Sequence, residues 1–172
     1  MADTFVALDF ETADYKPDSA CAIGIVRVQK GKIVERAHHL IQPPRKWFRF
    51  TYIHGITWKD VAAKPTFAEL WPEVEGLFKD VEFIAAHNAG FDRRVLTACC
   101  DAAGLAPPEP EFLCTVALSR SKWGIYPTKL PNVCSRLGIE LKHHEALSDA
   151  EACARIVMTA LQEGHDLADA RA

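Results

Sequence analysis

The sequence lacks the features that would place the protein in a membrane or outside the cell. No apolar run approaches the roughly 20 residues that a membrane-spanning helix needs. The first residues, Met1 to Thr4, carry no basic flank of the kind that begins a signal peptide, and they lead directly into a strand-like segment. We therefore expect an intracellular, cytoplasmic protein without membrane contact.

Cysteine pairs of the kind found in zinc sites are also absent. None of the six cysteines is spaced as C-x-x-C, and most of them lie within apolar segments. Free cysteine is among the residue types most often buried in proteins. We expect buried free thiols, which fits a reducing compartment.

Positive charge is scarce for a protein that coats nucleic acid. The formal net charge is −3, whereas proteins that cover long duplexes usually carry a positive balance. An enzyme that holds only a few nucleotides at one strand end needs only a local basic patch. The charge therefore argues against broad coating and leaves nucleic acid open as a substrate.

Repeats, linkers and low-complexity tracts are missing too. A chain of 172 residues with 49% hydrophobic content suits one domain spanning residues 1–172.

Apolar and β-branched runs predict strands, and periodic apolar residues predict helices. Strands are predicted at 5–10, 22–28, 32–41, 83–86 and 112–115, and helices at 66–77, 91–103, 130–137 and 148–163. Thr66 with Glu69, and Ser148 with Glu151, have capping-box spacing. The polar tail at about 164–172 is expected to be frayed.

This order of elements predicts an α/β fold. The turn signal Lys30-Gly31 joins the second and third strands into a hairpin, so the first three strands form an antiparallel meander. Strands that alternate with helices then add parallel neighbours. We expect a mixed sheet with helices on both faces.

Acidic residues at the ends of predicted strands and the starts of predicted helices carry the strongest chemical signal. Asp9 and Glu11 lie two residues apart at the end of a strand, so both side chains project to the same face. Neighbouring carboxylates repel each other unless a cation lies between them, and oxygen ligands suit Mg²⁺ or Mn²⁺. Acids at strand ends are also common on exposed surfaces without any ligand, so this pair alone does not establish a metal site.

Two more acids, Asp92 and Asp149, lie in the first turns of predicted helices. The helix dipole favours an acid there without any ligand, so each has a structural explanation as well. His144 stands five residues before Asp149 and could reach over the helix N-terminus toward a ligand bound at the acid.

Three motifs together resemble the DEDDh family of 3′–5′ exonucleases, to which the proofreading subunit of bacterial DNA polymerase III and ribonuclease T belong. The motifs are Asp9-Phe10-Glu11-Thr12, His87-Asn88-Ala89-Gly90-Phe91-Asp92 and His144-Glu145-Ala146-Leu147-Ser148-Asp149. Each motif alone is weak, but the three occur in the family's order over most of the chain. The segments Ile53-His54-Gly55-Ile56-Thr57 and Lys129-Leu130-Pro131-Asn132-Val133 also match.

The resemblance implies a ribonuclease H-like fold and two divalent metal ions, Mg²⁺ or Mn²⁺. By position, the metal ligands would be Asp9, Glu11, Asp92 and Asp149. His144 would be the general base, because the adjacent His143 is one residue too far from Asp149 to match the motif. Cys114 stands where relatives often carry Asp, and we expect this to change local packing rather than metal binding.

The implied reaction is hydrolysis of phosphodiester bonds from the 3′ end of single-stranded nucleic acid, with release of nucleoside 5′-monophosphates. DNA is favoured as substrate and RNA stays open, and a DNA polymerase is a candidate partner. Residues expected to contact the substrate are Thr12, Trp47, His54, Gly55, Ile56 and Asn88. Trp47 lies in the basic and aromatic segment 45–52, a composition typical of single-strand binding. Its aromatic residues could equally be core residues between solvated charges.

Two other functions remain open from the sequence. A catalytically idle member of the fold could bind nucleic acid or a polymerase, although such a module has no need of four converging carboxylates. An endonuclease could share the fold, but the spacing of His144 and Asp149 favours the exonuclease.

Overall fold

A computed structural model describes residues 4–171 and shows a five-stranded mixed sheet. The strands are β1 (Thr4–Thr12), β2 (Ala20–Gln29), β3 (Lys32–Leu40), β4 (Ile84–Ala86) and β5 (Phe112–Cys114), in the spatial order β3-β2-β1-β4-β5. β1, β2 and β3 pair antiparallel, while β4 pairs parallel with both β1 and β5. The predicted meander with added parallel strands is confirmed. Residues 1–3 and 172 of the predicted domain lie outside the described residues.

Seven α-helices connect and cover the strands within residues 4–171. They are α1 (Thr51–His54), α2 (Trp58–Val61), α3 (Phe67–Val74), α4 (Ala89–Ala103), α5 (Thr115–Trp123), α6 (Leu130–Leu137) and α7 (Ala146–Gln162). Two 3₁₀ helices, Glu75–Phe78 and Ala168–Ala170, complete the set. Among these described helices, none combines the length and apolar character that a bilayer crossing requires.

The hydrophobic core lies on both faces of the sheet. Alternate residues of β1 divide between two clusters: Phe5 and Ala7 pack with α5, α6 and α7, whereas Val6 and Leu8 pack with α3 and α4. This alternation follows from the pleat of a strand that is covered on both sides. Asp9 and Glu11 continue the row of Phe5 and Ala7, so the strand directs them to the face that α7 covers.

Two helix starts test the capping predictions. The box at Thr66 is confirmed, because its hydroxyl accepts the backbone N–H of Glu69 at 3.3 Å and the Glu69 carboxylate accepts that of Thr66 at 2.8 Å. The box at Ser148 is wrong. α7 begins two residues earlier with Glu145 at its N-cap, and Ser148 Oγ instead accepts the backbone N–H of Lys142 at 2.7 Å.

The tail after Gly164 was predicted to fray, and this stays a prediction, although residues 165–171 are packed against the domain in the structure. Leu167 and Ala170 are buried in the cluster beneath α7, and Arg171 forms an antiparallel bridge with Leu113 of β5. The four-residue helices α1 and α2 and the nine-residue helix α5 were not predicted.

Candidate active site

The carboxyl end of β1 presents two acids beside the first turn of α7. Carboxylate oxygens of Asp9, Glu11 and Asp149 lie within 4.8 Å of one another. Oδ2 of Asp9 is buried, and among the described residues it has no hydrogen-bond partner. A buried, unpartnered carboxylate oxygen is costly unless a cation or water satisfies it.

A glycine in β2 allows the start of α7 to pack closely against the sheet beside the acids of β1. Gly24 pairs with Asp9 across the antiparallel ladder. A Cβ atom at Gly24 would lie only 2.2 Å from the carbonyl oxygen of Ala146, the first residue of α7. The missing side chain therefore makes room for the helix start, and the first turn of α7 brings Asp149 to the acids of β1.

Asp92 reaches the same place from the opposite face of the sheet. It lies in the first turn of α4, is only 1% exposed, and accepts the backbone N–H of Phe10 through Oδ1 at 3.0 Å. Phe10 stands between Asp9 and Glu11, so this hydrogen bond holds the Asp92 carboxyl beside the acid pair. The structure thus brings all four predicted acids together.

The electrostatics of this acid cluster (Asp9, Glu11, Asp92 and Asp149) favour a bound cation. Burial, followed by the charges of Asp92 and Glu11, raises the pKa of Asp9 well above its ordinary value. Burial and the neighbouring carboxylates raise the pKa of Glu11 from 4.5 to about 8. Burial also raises the pKa of Asp92 and of Asp149. A positive ion among these oxygens would relieve both the repulsion and the desolvation.

The acid cluster fits a hard divalent metal. Its donors are carboxylate oxygens, the ligands that Mg²⁺ and Mn²⁺ prefer. Asp9 Oδ2 supplies an oxygen that no described protein group satisfies. The residues present could therefore hold such an ion.

Two consecutive histidines face Asp149 from the loop before α7. The backbone N–H of His144 donates to Asp149 Oδ2 at 3.1 Å, and Nδ1 of His143 lies 3.1 Å from the same oxygen. The two imidazole rings stack with centroids 3.7 Å apart. His143 was set aside as the general base because it is one residue too far from Asp149 to match the motif, yet its ring contacts that acid directly. Burial, and then the charge of His143, lowers the pKa of His144, which keeps its ring neutral near pH 7.

A cleft of about 300 Å³ opens beside the acids. Apolar side chains, the acids and the histidine pair all line it. Its lining residues are Asp9, Phe10, Glu11, Thr12, Phe50, Ile53, His54, Phe91, His143, His144 and Asp149. Such a cleft offers flat apolar surfaces to a base and a cation site to a phosphate.

His54 fixes part of the cleft wall as a neutral ring. Its Nδ1 accepts the backbone N–H of Ile56 at 3.0 Å, so Nε2 carries the proton and donates to the carbonyl of Thr12 at 2.9 Å. Burial lowers the pKa of His54, in agreement with this tautomer. Gly55, at φ 77°, ends α1 with a left-handed turn that returns the chain to Ile56.

The comparison with protein families decides which group the chain resembles. The family model described as "Exonuclease" matches residues 6–157. That range contains the four acids and both histidines.

The chain belongs to the exonuclease family.

Known exonuclease-family proteins resemble it in sequence and in fold. The PolC-type DNA polymerase III of Thermotoga maritima is 36% identical over 159 residues, which is 90% of this chain and 12% of that protein. Exodeoxyribonuclease 10 of Escherichia coli K12 is 36% identical over 146 residues, 79% of this chain and 59% of that protein. The chain thus spans only part of the length of these relatives. A structure of exonuclease X in complex with 5′ overhanging duplex DNA has 27% identity and a TM-score of 0.77 over 96% of both chains. The fold is the ribonuclease H-like fold that the motifs imply.

Of the six residues expected to contact substrate, Thr12 and His54 line the acid cleft of this exonuclease domain, whereas Trp47, Gly55, Ile56 and Asn88 do not. Trp47 is 59% exposed, and the Arg49 guanidinium lies 3.7 Å from its ring centroid. Asn88 is exposed and forms the N-cap of α4 in a left-handed conformation, φ 65°. The neighbouring Phe48 is half-buried in a small cluster with α2, so segment 45–52 contains both a packed and an exposed aromatic residue.

Sequence reasoning missed that Phe91 and Ile53 line the cleft, and that Tyr15 contacts Phe50, another of the lining residues. Phe91 and Ile53 lie within quoted motifs, but nothing in a motif tells which side chain faces the site. Tyr15 is 80% exposed and meets Phe50 edge to face at 4.9 Å. In the sequence, the only indication of this contact was an aromatic residue three positions after Thr12. Cys114, the departure from the family pattern, is half-buried against the α4 side of the core.

Proposed function

We propose that the protein is a metal-dependent 3′–5′ exonuclease that releases nucleoside 5′-monophosphates from single-stranded nucleic acid, preferentially DNA. The observation that carries this proposal is the convergence of three carboxylates and a histidine pair beside the cleft, with the buried Asp92 carboxyl held next to them by the Phe10 N–H. Membership of the exonuclease family supports it. DNA is favoured because the relatives include an exodeoxyribonuclease and an exonuclease solved with duplex DNA that carries a 5′ overhang.

The acid cluster would hold two divalent ions, Mg²⁺ or Mn²⁺, with Asp9, Glu11, Asp92 and Asp149 as ligands. Such ions stabilise the attacking and leaving oxygens of a phosphodiester and lower the pKa of a bound water. The buried Phe10 N–H to Asp92 hydrogen bond and the approach of α7 at Gly24 hold the ligands in place beforehand. Preorganised ligands need no rearrangement when charge develops in the transition state.

His144 would act as the general base. Its ring lines the cleft, and its backbone is tied to Asp149, so the imidazole stays beside the metal ligands. A neutral imidazole suits proton removal from water near pH 7. The water oxygen bonds to phosphorus, the 3′ oxygen of the preceding nucleotide leaves, and the terminal nucleotide departs with a 5′ phosphate.

The cleft wall would hold the terminal nucleotide. Phe50, Ile53 and Phe91 offer apolar contact to a base. His54 positions Thr12 through the carbonyl of that residue, and the hydroxyl of Thr12 is then available to the sugar. Trp47 with Arg49, and the exposed Asn88, would contact nucleotides further along the strand.

A linear and a circular single strand of matched composition test exonuclease action directly. With Mg²⁺ we expect mononucleotides from the linear DNA and an intact circle, since an exonuclease cannot start without an end. EDTA should abolish the reaction, and Asp149→Asn serves as the inactive control. Cleavage of the circle at a comparable rate would make the protein an endonuclease. No hydrolysis of any strand would favour an idle binding module.

A polymerase partner is a second, narrower proposal. It rests on the PolC-type relative, of which the chain matches 12%. Co-elution of the protein with a purified replicative polymerase on a sizing column would support it, and separate elution would contradict it.

A further inference from the structure

The histidine pair before α7 has a donor set unlike that of the acid cluster. Ring nitrogens of His143 and His144 and a carboxylate oxygen of Asp149 all lie within 4.8 Å of one another. Two imidazoles and one carboxylate are the ligands of zinc-type sites, whereas Mg²⁺ takes oxygen ligands. Both histidines are exposed, so an ion from solution reaches them without rearrangement of the core.

The backbone of the loop builds this arrangement. His144 has φ 67°, a left-handed conformation that is unusual for a residue with a side chain. Consecutive side chains of an extended segment point in opposite directions, but here the turn stacks both rings at 3.7 Å on the same side. Two further hydrogen bonds close the loop, from Lys142 N–H to Ser148 Oγ at 2.7 Å and from Glu145 N–H to the Lys142 carbonyl at 3.2 Å.

The spacing between His143 and Asp149 matches that of two ligands on one ion. Nδ1 of His143 lies 3.1 and 3.3 Å from the two carboxylate oxygens of Asp149. Bonds from zinc to nitrogen and oxygen measure about 2.0–2.1 Å, so two ligands at a tetrahedral angle lie about 3.3 Å apart. An ion between these atoms therefore needs little movement of either side chain.

We propose that His143, His144 and Asp149 form a second site, for a borderline-soft transition metal ion such as Zn²⁺, whose donor set differs from that of the all-oxygen site of the acid cluster. The two sites share Asp149, so an ion held by the histidines withdraws that carboxylate from the acids of β1. It also occupies the ring nitrogen of His144. This metal would therefore inhibit Mg²⁺-supported hydrolysis, a consequence that, unlike the binding itself, rests on the proposed function.

Zinc titration without nucleic acid tests the site independently of any activity. In excess Mg²⁺, the intact protein and a zinc-sensitive dye compete for Zn²⁺, and the dye signal gives the Zn²⁺ affinity of the protein. His143→Ala should weaken zinc binding by about 10- to 100-fold or more. Loss of a residue that only hydrogen-bonds to a metal ligand already has an effect of this size, and His143 is proposed as a ligand itself. His165→Ala is the matched control: this histidine pairs with Glu163 near the tail, and its loss should leave the zinc affinity unchanged.

Asp9→Asn separates the new site from the acid cluster. It removes a ligand of the acid cluster and leaves the two histidines and Asp149, so zinc binding should persist. Co²⁺ in place of Zn²⁺ should give the visible spectrum of a four-coordinate site with nitrogen ligands, and His143→Ala should abolish it. Equal zinc affinity in the wild type and His143→Ala would overturn the proposal. Loss of zinc binding in Asp9→Asn with retention in His143→Ala would overturn it as well, because the ion would then lie among the acids.

Discussion

At the residue scale, Asp149 links the two halves of the site. Its carboxylate faces Asp9 and Glu11 on one side and the histidine pair on the other. Any change at this residue therefore alters both the metal ligands and the group proposed to activate water.

Asp149→Asn and Asp9→Asn should leave the fold intact and remove most of the activity. Each amide replaces a charged metal ligand, and the loss should amount to several kcal/mol of transition-state stabilisation. Steady-state kinetics on a 5′-labelled oligonucleotide, with circular dichroism as the check on folding, measure this effect. Undiminished hydrolysis by either variant, with metal still required, would remove that residue from the metal site.

The two histidines should differ in their kinetic effects. His144→Ala should keep Mg²⁺ binding but lower turnover by roughly 10²–10⁴-fold, the usual contribution of a general base. His143→Ala should be milder, because its ring contacts Asp149 rather than the proposed water position. Turnover of both variants at saturating substrate shows which histidine is the general base. A larger loss in His143→Ala than in His144→Ala would assign the base to His143.

The residue roles follow from the motifs, but the contacts do not. The resemblance of the three motifs to the exonuclease family was sufficient to expect that Asp9, Glu11, Asp92 and Asp149 converge, whereas their spacing alone was not. The contact between His143 and Asp149 depends on the left-handed φ of His144, which neighbouring sequence does not specify. The position of Trp47 outside the cleft likewise depends on loop packing rather than on composition.

At the scale of elements, the approach of α7 to β2 sets the geometry of the site. Gly24→Ala should push the start of α7 away, because the new methyl carbon would overlap the Ala146 carbonyl at 2.2 Å. We expect a stability loss of about 1–3 kcal/mol, the range for overpacking, and lower activity because Asp149 moves with the helix. Urea unfolding and kinetics measure the two effects.

Gly76→Ala is the matched control for this substitution. A Cβ atom at Gly76 meets nothing within 4 Å, so stability and activity should stay close to the wild type. If Gly24→Ala behaved like Gly76→Ala, close packing of α7 on β2 would not position the site.

Strands and long helices were predicted well because their apolar patterns are strong, and α6 has the same bounds in sequence and structure. The start of α7 was missed because Ser148 has a good capping sequence, yet tertiary contacts let the helix begin at Ala146. The short helices α1 and α2 have four residues each, too few for periodicity to show.

At the scale of the whole molecule, the acid cluster should make stability depend on pH and metal. The folded pKa of Glu11 is raised from 4.5 to about 8, and that of Asp9 is raised as well. A carboxyl with a raised folded pKa binds its proton more tightly in the folded state, so stability falls as pH rises toward the folded pKa. The buried His54 and His87 have lowered pKa values and act in the opposite direction, but only below about pH 6.5.

The metal-free protein should therefore have a lower Tm at about pH 9 than at about pH 7, where the histidines are already neutral. Buried thiols with raised pKa values, such as those of Cys21 and Cys153, add a fall in the same direction that does not depend on Mg²⁺. Mg²⁺ should reduce this Tm difference, because the ion compensates the repulsion among the carboxylates of the acid cluster. Glu11→Gln should reduce the Tm difference in the absence of metal. Thermal denaturation in EDTA and in Mg²⁺ gives the comparison. The same pH dependence with and without Mg²⁺ would show that the acid cluster does not bind the ion.

The most direct test of the central claim is the polarity of degradation of an end-labelled single strand in Mg²⁺. A 5′-labelled oligonucleotide should give a ladder that shortens one nucleotide at a time, while a 3′ label should appear at once as a mononucleotide. A 3′-terminal phosphate should slow both reactions sharply, because it adds charge where the terminal hydroxyl is held. Early release of a mononucleotide from the 5′ label, with a ladder from the 3′ label, would contradict a 3′–5′ exonuclease.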